Sequence, residues 1–213
     1  MTEEKKKPSS LFIFLRHGES TGNAEKRHQG QADFPLTDLG VKQVEQLTSF
    51  WTKSSVTFDH IISSPLTRAK QSAEIIAKAL SSDVEFDPIW MERDNGELAG
   101  LRHEKALKIL PPPDFIPLYQ PIAGTGESQW DLFLRAGNAI KKMMIYPPGD
   151  YLIVSHGGLL NMVLRAILGI TPQANFQGPG FHFSNTGYTK LEYSQNKNNW
   201  TLLVHNITSH LDN

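Results

Sequence analysis

The chain has 213 residues, 39% of them hydrophobic and 20% charged, with a formal net charge of −1. That is length enough for one domain with a substantial core, and the near-neutral balance gives no bulk electrostatic reason to expect nucleic acid or a membrane surface as partner. No cysteine is present, which excludes disulfides, thiolate nucleophiles and cysteine-ligated metal centres.

Residues 1–10 are polar, include Lys5-Lys6-Lys7-Pro8 and lack the apolar stretch of a signal peptide, so they read as a flexible tail on a cytoplasmic protein. The run Leu11-Phe12-Ile13-Phe14-Leu15 reads as a buried strand ending at Arg16-His17-Gly18. After a polar loop, Thr37 is placed to cap a helix carrying Val41, Val44, Leu47, Phe50 and Trp51 at helical spacing. A short strand is expected over 58–62, a helix over 66–80 with Ala69, Ala73, Ile76 and Ala77 on its apolar side, and another strand over 84–86. Residues 90–100 are irregular, punctuated by Gly96 and Gly100. A helix over 102–110 is stopped by Pro111-Pro112-Pro113.

The stretch to Gly126, rich in proline, glycine and apolar side chains, suggests an ordered cap. Phe115, Ile116, Tyr119 and Trp130 are candidates either for an apolar pocket or for core packing. A helix over 128–146 leads to the strand Tyr151-Leu152-Ile153-Val154-Ser155, which ends at His156-Gly157 and runs into a helix over 157–168. A hairpin, 188–193 with 200–204, completes the pattern. This alternation predicts an α/β fold: a three-layer αβα sandwich with a mostly parallel central sheet and antiparallel strands late in the chain. One domain is expected over 11–213, with a short cap around 101–126.

Four segments carry chemistry-bearing residues. Arg16-His17-Gly18-Glu19-Ser20 with Asn23, and Ser155-His156-Gly157, each follow an apolar strand, where open α/β sheets bind ligands. Ser63-Ser64-Pro65-Leu66-Thr67-Arg68 places an arginine in the first turn of a helix. Glu92-Arg93-Asp94-Asn95-Gly96-Glu97-Leu98-Ala99-Gly100 is a glycine-punctuated acidic loop. A phosphoryl group carries roughly two negative charges near neutral pH, and arginine offers it bidentate hydrogen bonds. Neutral imidazole, with an ordinary pKa of about 6.5, is a competent nucleophile.

Together, in this order, the four segments resemble the histidine phosphatase superfamily, the phosphoglycerate-mutase-like proteins, over Leu11 to Leu211. The resemblance implies that His17 is the nucleophile, through a phosphohistidine intermediate, and that His156, Arg16, Arg68 and Asn23 contact the phosphoryl group. Gly18 and Gly157 would allow close backbone approach, and Gln29 and Gly30 match a loop on the phosphate side. Glu92 opens the pattern Glu-x-x-x-Gly-x-Leu-x-Gly and would be the general acid and base, a task a carboxyl group performs if burial or a neighbouring phosphate keeps it protonated. His28 and His103 are possible substrate contacts.

Phosphomonoester hydrolysis is the expected activity, on a small phosphorylated substrate. Phosphoglycerate mutase is the first alternative; it is disfavoured because residues 101–126 are short, apolar and without the paired arginines of the mutases. A non-catalytic phospho-ligand binding module is the second. Gly124-Thr125-Gly126-Glu127-Ser128 superficially looks like a nucleotide loop, but no strand precedes it and it more plausibly caps the next helix. No His-Glu-x-x-His or similar spacing appears, so metal-independent catalysis without a cofactor is expected. Oligomeric state is not readable.

Overall fold

In the computed structural model, which describes residues 9–212, strand β1 (Ser9–Arg16) is apolar on both faces because it lies in the middle of a sheet covered on both sides. It is followed by α1 (Thr21–Ala24), α2 (Asp38–Lys53), β2 (His60–Ser63), α3 (Thr67–Leu80), β3 (Val84–Phe86), α4 (His103–Ile109) and α5 (Gln129–Met144). Then come β4 (Asp150–Ser155), α6 (Gly157–Ile167), β5 (Tyr188–Ser194) and β6 (Asn199–Ile207). The strands lie in the order β3-β2-β4-β1-β5-β6. The first four are mutually parallel, and β5 and β6 run antiparallel.

Alternation along the two central strands builds two cores. Phe12, Phe14, Tyr151 and Ile153 pack with residues of α5 and α6 on one face, and Ile13, Leu15, Leu152 and Val154 with residues of α2 and α3 on the other. This is the expected αβα sandwich. Helix entry follows the expected chemistry too. The Thr37 hydroxyl accepts from the Gly40 amide at 3.0 Å, and Ser128 and Asp131 form a reciprocal capping box at the start of α5.

Several boundaries differ for physical reasons. The tail expected to run through residue 10 yields to strand earlier, because Ser9 and Ser10 pair with Ser194 and Tyr193 of β5; the expectation for residues 1–8 lies outside the described residues. The strand expected at 58–62 occupies His60–Ser63, where pairing with β4 begins. The stretch expected to be wholly irregular begins at a single 3-10 turn, Pro88–Trp90, and contains a second, Gly96–Leu98. Helix α1, which no periodicity announced, is one turn created by a Ser20–Asn23 capping box. No helix among the described residues is long and apolar enough to cross a membrane.

Phe14 has no exposed surface and lies beside the equally buried Trp90, which anchors the start of the acidic loop. Phe14→Ala is expected to destabilise the protein by about 3–5 kcal/mol, read from urea unfolding, through lost burial and the cavity left behind.

Candidate active site

Parallel register assembles the site. Arg16 of β1 is level with Ser155 of β4, so the next residues, His17 and His156, leave neighbouring strands side by side. Their ring centroids are 5.1 Å apart, close to the spacing of adjacent strands. Strand β2 adds the third member: Ser63 is level with Val154, and Ser64, one step on, places its Oγ 2.8 Å from His156 Nε2. The turn into α3 then delivers Arg68, which is almost wholly buried.

The two imidazoles are held differently. His17 Nδ1 lies 2.7 Å from the Gly18 carbonyl oxygen, an atom that can only accept, so Nδ1 carries the proton and the Nε2 lone pair stays free. His156 Nδ1 is buried without a hydrogen-bond partner. Burial, then the charges of Arg68 and Arg16, push the His17 pKa well below its ordinary value; burial and Arg68 do the same to His156.

Both arginines are anchored by carbonyl groups rather than by carboxylates. Arg16 donates to the Phe183 carbonyl at 2.6 Å, and Arg68 to those of Gly30 at 2.7 Å and Ala32 at 3.0 Å. Each keeps a buried Nε without a partner, and neither has an ion pair among the described residues. Burial lowers the Arg16 pKa and brings that of Arg68 down to about 10, opposed in both cases by the more distant charge of Glu92. Unspent positive charge with unpaired N–H groups is what a bound oxyanion requires.

Glu92 faces the same cavity, about 380 Å³ in volume and also lined by Arg16, His17, Arg68, Asn23 and Gly157. Its carboxylate caps α6, accepting from the amides of Leu159 (3.0 Å), Gly158 (3.0 Å) and Arg93 (2.8 Å). A Cβ on Gly158 would lie 2.5 Å from Glu92 Oε1, so glycine is needed there for the carboxylate to sit where it does. Gly157 has room for a Cβ, which would meet the Arg16 guanidinium at ordinary contact distance, 3.7 Å.

The remaining expected residues divide. Asn23 and Gln29 line the cavity and are tied together through Ser20, whose Oγ lies 2.9 Å from Asn23 Oδ1 and 2.6 Å from Gln29 Oε1. Gly30, at φ +51, presents its carbonyl to Arg68 in a conformation that disfavours other residues. Gly18 is not among the cavity-lining residues; its Cα packs against the Gly40 carbonyl, which a Cβ would approach to 2.5 Å. His28 and His103 both reach the cavity wall, their rings 4.3 Å apart. Of the cap aromatics, Phe115 and Tyr119 are mostly exposed, and Tyr119 lies edge-on against Trp130. Among the described residues, no group of His, Asp or Glu side chains is arranged to hold a metal ion.

Sequence reasoning missed a supporting layer. Arg135, two turns into α5, binds Glu127 through a two-pronged 2.7 Å contact. The same guanidinium donates to the carbonyls of Met91 (2.6 Å), Ile89 (3.0 Å) and Glu92 (3.1 Å). Glu127 in turn accepts from the Asp94 amide at 2.9 Å. Asn185, from a loop that carried no motif, donates to the His17 carbonyl at 3.0 Å. Only spatial proximity reveals these contacts.

Depressed histidine pKa values in the folded state make stability depend on pH. Between the folded values and the ordinary 6.5 the unfolded chain binds more protons, so stability is full above about pH 6.5 and falls as pH drops below it. Each histidine contributes a slope of up to about 1.4 kcal/mol per pH unit. Urea midpoints measured from pH 7.5 down to 5 should decline, and less steeply in His156→Gln.

Comparison with known proteins places this geometry. The model of the histidine phosphatase superfamily (branch 1) matches residues 12–208. A protein of Salmonella choleraesuis named "Probable phosphoglycerate mutase GpmB" is 34% identical, the match covering 95% of each chain. Among solved structures, a mycobacterial glucosyl-3-phosphoglycerate phosphatase complexed with VO3 superposes with a TM-score of 0.76 at 26% identity, over 92% of this chain and 98% of that one. YhfR of Bacillus stearothermophilus superposes at 0.79 with 24% identity, over 95% and 99%, a likeness of fold. With its family model spanning nearly the whole chain and its two histidine turns meeting at the carboxyl ends of the two central strands, the protein belongs to the histidine phosphatase superfamily.

Proposed function

We propose that the protein hydrolyses phosphate monoesters through a phosphohistidine on His17, without a metal ion. The observation that carries this reading is a buried imidazole whose Nε2 is free, held in its neutral form between two guanidinium groups that lack carboxylate partners. The phosphoryl group binds between Arg16 and Arg68, which spread their donors over its oxygens as charge redistributes. His156 is wholly buried and is not among the cavity-lining residues; in the tautomer in which Ser64 donates to Nε2, its unpartnered Nδ1 carries the proton and would add one more donor from behind His17.

In the first step the His17 Nε2 lone pair forms an N–P bond while the P–O ester bond breaks. Glu92, taking up a proton from solvent as the doubly charged phosphoryl group binds beside it, gives that proton to the departing oxygen. In the second step a water oxygen attacks phosphorus, Glu92 takes the water's proton, and the N–P bond returns its electrons to the imidazole. Inorganic phosphate leaves, Glu92 returns its proton to solvent, and both residues are back in their starting states. His17→Ala should lower release of phosphate from phenyl phosphate by roughly a thousandfold or more. Undiminished release would refute the proposal.

A second reading, phosphoryl exchange between hydroxyl groups as in a mutase, has one specific observation in its favour: the name of the relative that is 34% identical. Against it, the cap contributes no arginine pair, and its lining is mostly apolar. Incubation with a phosphoglycerate isomer, with and without bisphosphoglycerate, separates the two: hydrolysis releases phosphate, and exchange interconverts isomers with none released.

Arg135 acts on this scheme as a positioning residue, since it holds the backbone from which Glu92 projects. Arg135→Gln should cost alkyl phosphates about a hundredfold in kcat/KM, which reports the first step alone and is the usual scale of a lost general acid. 2,4-Dinitrophenyl phosphate should change little, because its leaving group departs without a proton. Equal losses on both substrates would make Arg135 merely structural.

A further inference from the structure

Beside the catalytic cavity lies a second, half-open one of about 430 Å³, lined largely by the cap. Its walls are apolar: Leu98, Leu107, Leu110, Ile116, Ile122 and the prolines that end α4. The two spaces adjoin at a junction whose residues, His28, Arg93 and Asn95, line both. At this shared neck Arg93 donates from Nε to Asn95 Oδ1 at 3.2 Å and lies over the ring of Phe176 at 5.2 Å. The compartment is pre-formed. Three successive prolines fix the backbone on one side, and the cap is stitched to the loop that follows α1 by the His28 amide on the Leu101 carbonyl (2.9 Å) and the His103 amide on the Lys26 carbonyl (2.9 Å).

We propose that this compartment receives the organic half of the substrate, and that the preferred substrates are phosphomonoesters bearing an extended alkyl or aryl group rather than short polyhydroxylated or carboxylated ones. The inference rests on the phosphomonoester reading of the neighbouring cavity. A three-carbon sugar acid phosphate anchored between Arg16 and Arg68 would leave the cap compartment unfilled. An alkyl or aryl ester threads the neck and exchanges water for apolar wall. The cap then selects by apolar fit, while the phosphate subsite is indifferent to the organic half.

Alkylphosphonates test this without relying on turnover, because carbon replaces the bridging oxygen. Calorimetric titration of the full chain with ethyl-, butyl-, hexyl- and octylphosphonate should give Kd values that fall by about threefold to fourfold for each methylene that enters the compartment. Leu107→Asp and, as an independent variant, Phe176→Ala should flatten that dependence. A flat series in the unaltered protein would overturn the proposal, as would an equal slope in both variants. Tighter binding of 3-phosphonopropionate than of propylphosphonate would also overturn it, assigning the neck to a second anion. A rising series together with no phosphate release from hexyl phosphate would leave the compartment assigned and refute the hydrolase reading alone.

Discussion

The structure depends on the parallel pairing of β1 with β4. Because Arg16 and Ser155 share a level, both strands terminate at one height and their following histidines meet. A slip of one residue would turn every side chain of β1 to the opposite face, exchanging Phe12 and Phe14 with Ile13 and Leu15 between two differently shaped cores. The packing of large aromatic side chains on one face and branched aliphatic ones on the other therefore fixes the positions of the two imidazoles. Core residues with no chemistry of their own decide whether the reactive ones converge.

What converges is an electrostatic imbalance. Two guanidinium groups are buried against carbonyl oxygens, with no carboxylate in ion-pair reach among the described residues. Desolvating a charge costs several kcal/mol per ion after relaxation, and carbonyl dipoles offset only part of that. The neighbouring histidines answer by remaining neutral, so the free protein does not add two more positive charges to the same space. An oxyanion arriving there recovers part of the cost as binding free energy. The arrangement spends stability in the empty state to be complementary to a phosphoryl group in the occupied one.

Much of this was legible in the chain because it follows from local rules. Strand–His-Gly repeated at 17 and 156 and an arginine in the first turn after Ser63-Ser64-Pro65 can each be placed from strand and helix periodicity, whereas Glu92 stands out in its irregular loop only through the resemblance to the family. The parts that escaped notice are those set by distance through space. Arg135 reaches the loop around Glu92 across more than forty residues, and Asn185 reaches the backbone of His17 across 168. Gly18 was expected to face the phosphate and instead allows close packing against α2. Of the aromatic candidates in the cap, the two most exposed lie outside the apolar compartment, while Leu107, Leu110 and Ile122, which no motif marks, form it.

Helix α6 shows how the fold divides its resources. The N-terminus of a helix is a natural place for an anion, and phosphate often occupies it. Here the amides of Gly158 and Leu159 are committed to the Glu92 carboxylate, so that end of the helix positions the proposed proton carrier rather than the phosphoryl group. In the proposed scheme phosphate recognition is left to side chains, Arg16 at the end of β1, the histidines that follow β1 and β4, and Arg68 in the first turn of α3. The division has a mechanical consequence. Glu92 is gripped from α6 through its carboxylate and from α5 through its backbone, by Arg135. The proton carrier is thus fixed relative to two helices of one layer, while Arg68 is delivered by a helix of the other. The proposed proton carrier and one proposed phosphate contact are therefore referred to opposite layers, and the sheet packed between the two cores sets the distance between them.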